Sequence, residues 1–221
     1  PMFIPSYNVH NPTGQDIFTG RRRFEDGPNR INNVTSDAPR LLAAIGGDVK
    51  DFGDWTWEAG ALYSKSSVTN NSLTASDSRL QQALQGLTGT ESGDFIWSPD
   101  TPLENRTYFN WFGANPQGMV DFITIRNPNV SEFELYNYDV SASGSVYDLE
   151  GGPIGLAVGA EYREEKFSNV RTLANAEGDI LGGSEGTSSF GSRNATSLYA
   201  EANFPVLDNL EFQLAGRYED Y

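Results

Sequence analysis

Between Tyr136 and Val146 the chain reads YNYDVSASGSV. Tyr136, Tyr138, Val140, Ala142, Gly144 and Val146 make one set, and Asn137, Asp139, Ser141, Ser143 and Ser145 the other. Side chains on an extended strand point alternately to opposite faces, so this period of two describes a strand with one dry and one wet face. A helix would mix the two sets around its circumference.

The same pattern recurs on either side. Ile154, Leu156, Val158, Ala160 and Tyr162 form a dry set against Gly155, Ala157, Gly159, Glu161 and Arg163. Leu198, Ala200, Ala202 and Phe204 oppose Tyr199, Glu201 and Asn203, and Phe212, Leu214, Gly216 and Tyr218 oppose Glu211, Gln213, Ala215 and Arg217. Upstream, Trp55, Trp57, Ala59, Ala61 and Tyr63 open another strand, preceded by one through Leu41, Ala43, Ile45 and Val49. At least six strands are expected.

The connections alternate in length. Turns rich in Gly, Pro, Asp and Asn fall at about 48–54, 149–153 and 205–209, whereas long polar stretches occupy about 1–20, 69–133 and 168–192. Short turns on one side and long loops on the other characterise outer-membrane barrels, whose long loops face the outside. The fold class read from this is all-β: antiparallel strands of a transmembrane outer-membrane β-barrel, with long extracellular loops and a short loop helix. Aromatic residues strengthen it. Trp55, Trp57 and Phe204 lie beside short turns, while Tyr136, Tyr138, Tyr162, Phe167, Tyr218 and Tyr221 lie towards the other strand ends, as two interfacial girdles would require. Aromatics also favour strands in general, so this feature supports the reading without deciding it.

Composition removes other classes. The 221 residues carry 30 acidic and 15 basic side chains, a net charge of -15. Nucleic-acid binding needs clustered Lys and Arg; Arg21, Arg22 and Arg23 form the one basic run, and Glu25 and Asp26 follow it. There is no cysteine, hence no disulfide or thiolate metal site. His10 is the single histidine and lies in a loop setting with Pro12 and Gly14. Asp48, Asp51 and Asp54 invite a calcium reading, but their spacing matches no known calcium loop, and turn chemistry explains them more simply. The carboxylates are many, yet no spacing singles out a pair for glycoside hydrolysis. Asn33, Asn70, Asn105, Asn129 and Asn194 open Asn-x-Ser/Thr triplets that read as chance matches. No catalytic residue, metal site or cofactor is expected. No apolar run is long enough for a transmembrane helix, and no secretory signal is read within this stretch.

Ligand contact is expected in the loop from Thr69 to Phe133. Ser76 offers an N-cap, Leu80, Ala83, Leu84 and Leu87 share a helix face, and Gly86 or Gly89 ends it. Aromatic residues interleaved with amides follow. Trp97, Tyr108 and Trp111 suit stacking against a sugar or siderophore ring, and Asn110 and Asn115 suit orienting its hydroxyls. The competing reading is that these rings pack the loop upon itself, as a loop this long requires.

The stretch Gly152–Arg163 (GPIGLAVGAEYR) resembles a hairpin strand of the TonB-dependent receptors. So do Leu198–Leu207 (LYAEANFPVL), Leu210-Glu211 and Ala215–Tyr221 (AGRYEDY). Asp54–Glu58 and Phe109–Gln117 are similar more loosely. The resemblance implies a middle slice of a 22-stranded barrel that encloses a plug domain, without the plug or the motif that engages TonB. It implies residence in the outer membrane of a Gram-negative bacterium. It also implies import of a small-molecule nutrient such as a siderophore, cobalamin or carbohydrate. The partners would be the receptor's own plug, the TonB energy-coupling complex, and outer-membrane lipid and lipopolysaccharide, with no nucleic acid. The alternative is a soluble extracellular β-sandwich, either a binding module or an adhesin.

Overall fold

The computed structural model describes residues 1–20, 25–27, 31–49 and 54–221. The basic run Arg21–Arg23 and Asp51 lie outside the described residues. In chain order the elements are β1 (Met2–Ile4), β2 (Ile17–Thr19), β3 (Asn32–Asp37), β4 (Arg40–Asp48), β5 (Thr56–Ala75), α1 (Asp77–Gln85), β6 (Thr88–Gly89), β7 (Phe95–Ile96), α2 (Gln117–Ile123), β8 (Thr124–Leu149), β9 (Gly152–Val170), α3 (Leu173–Ala176), β10 (Ser189–Leu207) and β11 (Leu210–Asp220).

The alternating segments read from the sequence, apart from the end residues Val49 and Trp55, lie in strands of one seven-stranded sheet, ordered β11-β10-β9-β8-β5-β3 with β4 also on β5. β3 and β4 are successive pieces of one line. Arg40 faces Ser64, the Lys65 N–H donates to the Pro39 carbonyl at 3.0 Å, and the Leu73 N–H donates to Ile31 O at 3.2 Å. Pro39 has no N–H to offer the ladder, and the pairing of β5 is shared across that break. The strands also outlast the alternation: β5 runs on to Ala75 and β8 begins at Thr124. Strict alternation is imposed by two contrasting environments, and residues beyond them keep backbone pairing without it.

The described connections keep the expected asymmetry. Glu150-Gly151 joins β8 to β9 and Asp208-Asn209 joins β10 to β11, whereas residues 76–123 and 171–188 link β5 to β8 and β9 to β10. The first turn depends on glycine. A Cβ on Gly151 would sit 2.6 Å from the Leu207 carbonyl carbon, and Gly152 has φ +128°. Gly151→Ala is expected to loosen the hairpin by about 1–3 kcal/mol, because backbone rather than a movable side chain must give way; denaturant midpoints of the refolded receptor would check it.

Two compact units result. The sheet unit comprises 36–68, 131–169 and 189–221, and the loop unit 1–35, 69–130 and 170–188. The large residues of the dry face are exposed in the sheet unit, with Val140 at 48%, Leu198 at 57% and Leu214 at 70%. In the loop unit, by contrast, Ile4, Leu80, Leu84, Leu87, Phe109 and Met119 are buried in one cluster.

Candidate functional site

The loop unit is built on α1. Its sequence signals are realised as read: Ser76 Oγ accepts from the Arg79 N–H at 3.2 Å, Gly86 ends the helix at φ +103°, and Leu80, Ala83, Leu84 and Leu87 are buried. A second cap comes from far along the chain. Asp179 accepts from Ser76 Oγ at 2.6 Å and from the Ser78 N–H at 2.6 Å. Burial opposes ionisation of Asp179, but these donors and the nearby Arg79 outweigh it and hold the carboxyl below its ordinary range. Neighbouring Asp77 is pushed up, first by burial and then by the Asp179 charge.

The signs decide the pH behaviour. Asp179, depressed on folding, stabilises the cap above the ordinary carboxylate range and loses that contribution as pH falls through its lowered value. Asp77, raised on folding, contributes in the opposite sense, its share being lost as pH rises. Acid weakening of the α1 cap is therefore expected only below the ordinary carboxylate range. Asp179→Ala should speed amide exchange in the first turn of α1 about tenfold, near 1.4 kcal/mol, at neutral pH. Hydrogen exchange corrected for its intrinsic pH dependence checks both.

The N-terminal stretch, read from sequence as loop, contributes core. Gln81 imitates a strand neighbour, accepting from the Phe3 N–H at 2.9 Å and donating to Phe3 O at 2.7 Å. The buried Asn8 amide donates to Leu84 O at 2.9 Å and Phe109 O at 3.2 Å, and Asn11 ties Pro5 O and Gln15 O. The signal available in the sequence was the three-residue spacing of two turn-forming asparagines behind the apolar Met2–Ile4. His10 is exposed, its N–H given to Asn8 Oδ1 at 2.9 Å.

The five residues singled out for ligand contact are divided. Trp97, just beyond β7, is 37% exposed. Tyr108 is 5% exposed, donates its hydroxyl to Leu103 O at 2.9 Å and packs near the Tyr7 ring at 6.0 Å. Trp111 belongs to the buried cluster. The amides of Asn110 and Asn115 shape the turn around Trp111: Asn115 Oδ1 accepts from the Asn110 N–H at 2.6 Å, and its Nδ2 donates to Asp26 Oδ2 at 2.7 Å. Asn110 Oδ1 accepts from the Phe112 N–H at 2.9 Å, which leaves the Phe112 ring 56% exposed. Asp54, considered for calcium and read as a turn residue, instead accepts from the Ser145 N–H at 2.8 Å and the Ser145 hydroxyl at 2.7 Å, tying the chain before β5 to β8.

In the sheet unit the two faces are chemically opposite. On the dry face Tyr63 lies against Tyr136 at 5.0 Å and Tyr138 against Tyr162 at 6.4 Å. Immediately beyond these rings the same face becomes charged, with Lys65 on Glu132 at 3.0 Å and Lys166 on Glu164 at 3.0 Å. From Tyr136 to Val146 the dry face of β8 covers ten steps, about 23 Å of height at ~3.3 Å per residue and ~45° tilt, matching a ~25 Å apolar band. The wet face carries ion pairs instead: Arg163 meets Glu165 at 3.3 Å and Glu219 at 3.2 Å, and Arg217 meets Glu161 at 3.5 Å. Phe167, grouped by sequence with the girdle tyrosines, falls on this wet face, because it shares the parity of Arg163 and Glu165.

A sheet of long antiparallel strands, apolar and exposed on one face, ionic on the other, and edged by tyrosines at one end of the apolar face, defines the wall of a membrane-spanning barrel. Among the described residues no helix is long and apolar enough to cross a membrane. A family model described as TonB dependent receptor-like, beta-barrel matches residues 4–221, and the chain belongs to that family. Its members are outer-membrane nutrient receptors of Gram-negative bacteria, transporters rather than enzymes. Neither curated proteins nor solved structures give a match. Family membership displaces the soluble-sandwich alternative, in agreement with the exposed dry face.

Proposed function

We propose that this chain forms part of the wall and outer loops of a receptor that captures a scarce nutrient and imports it by TonB-coupled transport. The candidate nutrients are a siderophore, cobalamin or a carbohydrate. The observation that supports it most is the reversal of polarity between the two faces of the sheet: the dry face meets lipid and the wet face lines the lumen, around a plug and ligand path that lie elsewhere in the receptor. In this reading the turns near 48–54, 149–153 and 205–209 are periplasmic, and the stretches near 1–20, 69–133 and 168–192 are extracellular. Uptake of ferric siderophore, cobalamin and oligosaccharide, measured in cells with and without TonB, tests it. Import of one of these that persists without TonB would overturn the coupling.

Within the loop unit, Trp97 is the member of the five-residue set available for stacking, and Tyr108, Asn110, Trp111 and Asn115 hold the loop that presents it. Trp97→Ala is expected to weaken ligand binding about tenfold, near 1.4 kcal/mol, with surface expression unchanged. Whole-cell binding of the imported nutrient checks this, and unchanged affinity at normal expression would remove Trp97 from the site.

A further inference from the structure

The wet face of the sheet unit has a local break in its polarity. Along β9 it reads Glu161, Arg163, Glu165 and then Phe167; along β8 it reads Asp139, Asn137, Leu135 and then Phe133. Phe133 and Phe167 are 40% and 44% exposed. Large apolar rings left in the open on an otherwise ionic surface are the informative exception to burial, and they mark contact with something not yet present. The two rings share a hollow of about 280 Å³ with Glu165, Gly191, Ser192 and Arg193.

Its floor and one wall are unusual. Gly191 stands opposite Phe167, and a Cβ placed there meets nothing within 4 Å. The absent side chain leaves the Phe167 ring uncovered. Arg193 stands opposite Glu165 and donates its Nε–H to that carboxylate, which Arg163 also engages at 3.3 Å. Glu165 is thus balanced by two arginines. The terminal nitrogens of Arg193, on a side chain 63% exposed, make no direct hydrogen bond among the described residues, although Glu219 lies near enough to act on the guanidinium. A guanidinium anchored through Nε presents its remaining donors in a fixed plane suited to an oxyanion.

The geometry points to a subsite for a flat apolar ring bearing a carboxylate or similar acidic oxygen group, the ring resting on Phe133 and Phe167 and the oxygens on the Arg193 terminal nitrogens. The volume suits one ring-sized portion of a larger nutrient rather than the whole of it. This subsite rests on the reading of the wet face as lumen and names the ligand class of that reading. It is distinct from the loop residues, Trp97 included.

The test uses the whole receptor in detergent with 1-naphthoate as probe, 1-naphthylmethanol as its uncharged match, and equilibrium dialysis as readout. Arg193→Gln is expected to weaken naphthoate about tenfold and leave the alcohol unchanged. Phe167→Ala should weaken both about tenfold, and Gly191→Trp, which fills the hollow from an open position, should abolish both. Naphthoate binding that is absent in the unmodified receptor, or indifferent to Gly191→Trp and Arg193→Gln, overturns the subsite. So does the result that Gly191→Trp exposes the plug to protease while the unmodified receptor ignores the probe, since the hollow would then seat the plug. Failure of the underlying reading is seen separately with single-cysteine receptors in lipid bilayers. Glu201→Cys should react with a charged thiol reagent and Leu214→Cys should not; equal reactivity overturns the assignment of faces and the subsite with it.

Discussion

Phe109→Ala is expected to cost the loop unit about 3–5 kcal/mol, the largest local effect of any single truncation there. Phe109 is fully buried, and it joins three segments far apart in sequence. Its N–H donates to Ala83 O on α1 at 2.9 Å, its carbonyl accepts from the Asn8 amide at 3.2 Å, and its ring lies in the cluster with Met2, Leu84 and Met119. The cavity left by the ring would be lined by residues of α1, α2 and the N-terminal strand, which are tied by separate hydrogen bonds and are poorly placed to collapse into it. The strands draw their stability from ladder pairing that Phe109 does not enter. The expected result is a receptor still resistant to protease in its strands but cut within 76–123. Phe109→Leu, which keeps most of the volume, should be cut several times more slowly. Equal resistance of Phe109→Ala and the unmodified receptor would show that the loop unit does not depend on this core.

The contrast between the two units explains what the sequence disclosed. Strands through Tyr136, Val158 and Leu214 were legible because lipid and water on opposite faces force a period of two, which needs no knowledge of neighbours. The helix from Ser76 was legible because capping and apolar spacing are local too. Asp179 was not, since its role as a cap depends on a residue some hundred positions away, and nothing local distinguishes it from other loop aspartates. Trp97 and Trp111 show the same limit: identical residues in similar company, one exposed and one buried, separated by a tertiary fold that the sequence pattern does not encode. Phe167 differs. Its parity with Arg163 and Glu165 is visible in the sequence, but its position near the strand end alone groups it with the girdle tyrosines. The strand extensions to Ala75 and from Thr124 are silent in the sequence because pairing without contrasting faces leaves no periodic trace.

Val158→Arg is the substitution expected to cost most in the membrane-spanning part, about 2–4 kcal/mol. Val158 stands opposite Ala200 on β10, with Ile154 and Tyr162 four residues away on the same face. Four residues at ~3.3 Å and ~45° tilt give about 9 Å in each direction, which puts Val158 near the middle of a ~25 Å band. An arginine there is too far from either interface for its charge to reach water without cost. Ala142→Arg on β8 should behave alike. The matched control is Gln213→Arg on the wet face, beside Glu201, with which Gln213 already pairs; it should cost less than 1 kcal/mol, as an exposed charge beside an opposite one does. Gly159, though also on the wet face, is no neutral control: the Tyr199 ring lies over it where a Cβ would go, so any side chain must first displace that ring. Urea midpoints of the whole receptor refolded into lipid vesicles separate the cases. Equal losses for Val158→Arg and Gln213→Arg would mean that both faces see the same solvent, and the barrel wall would have lost its physical basis.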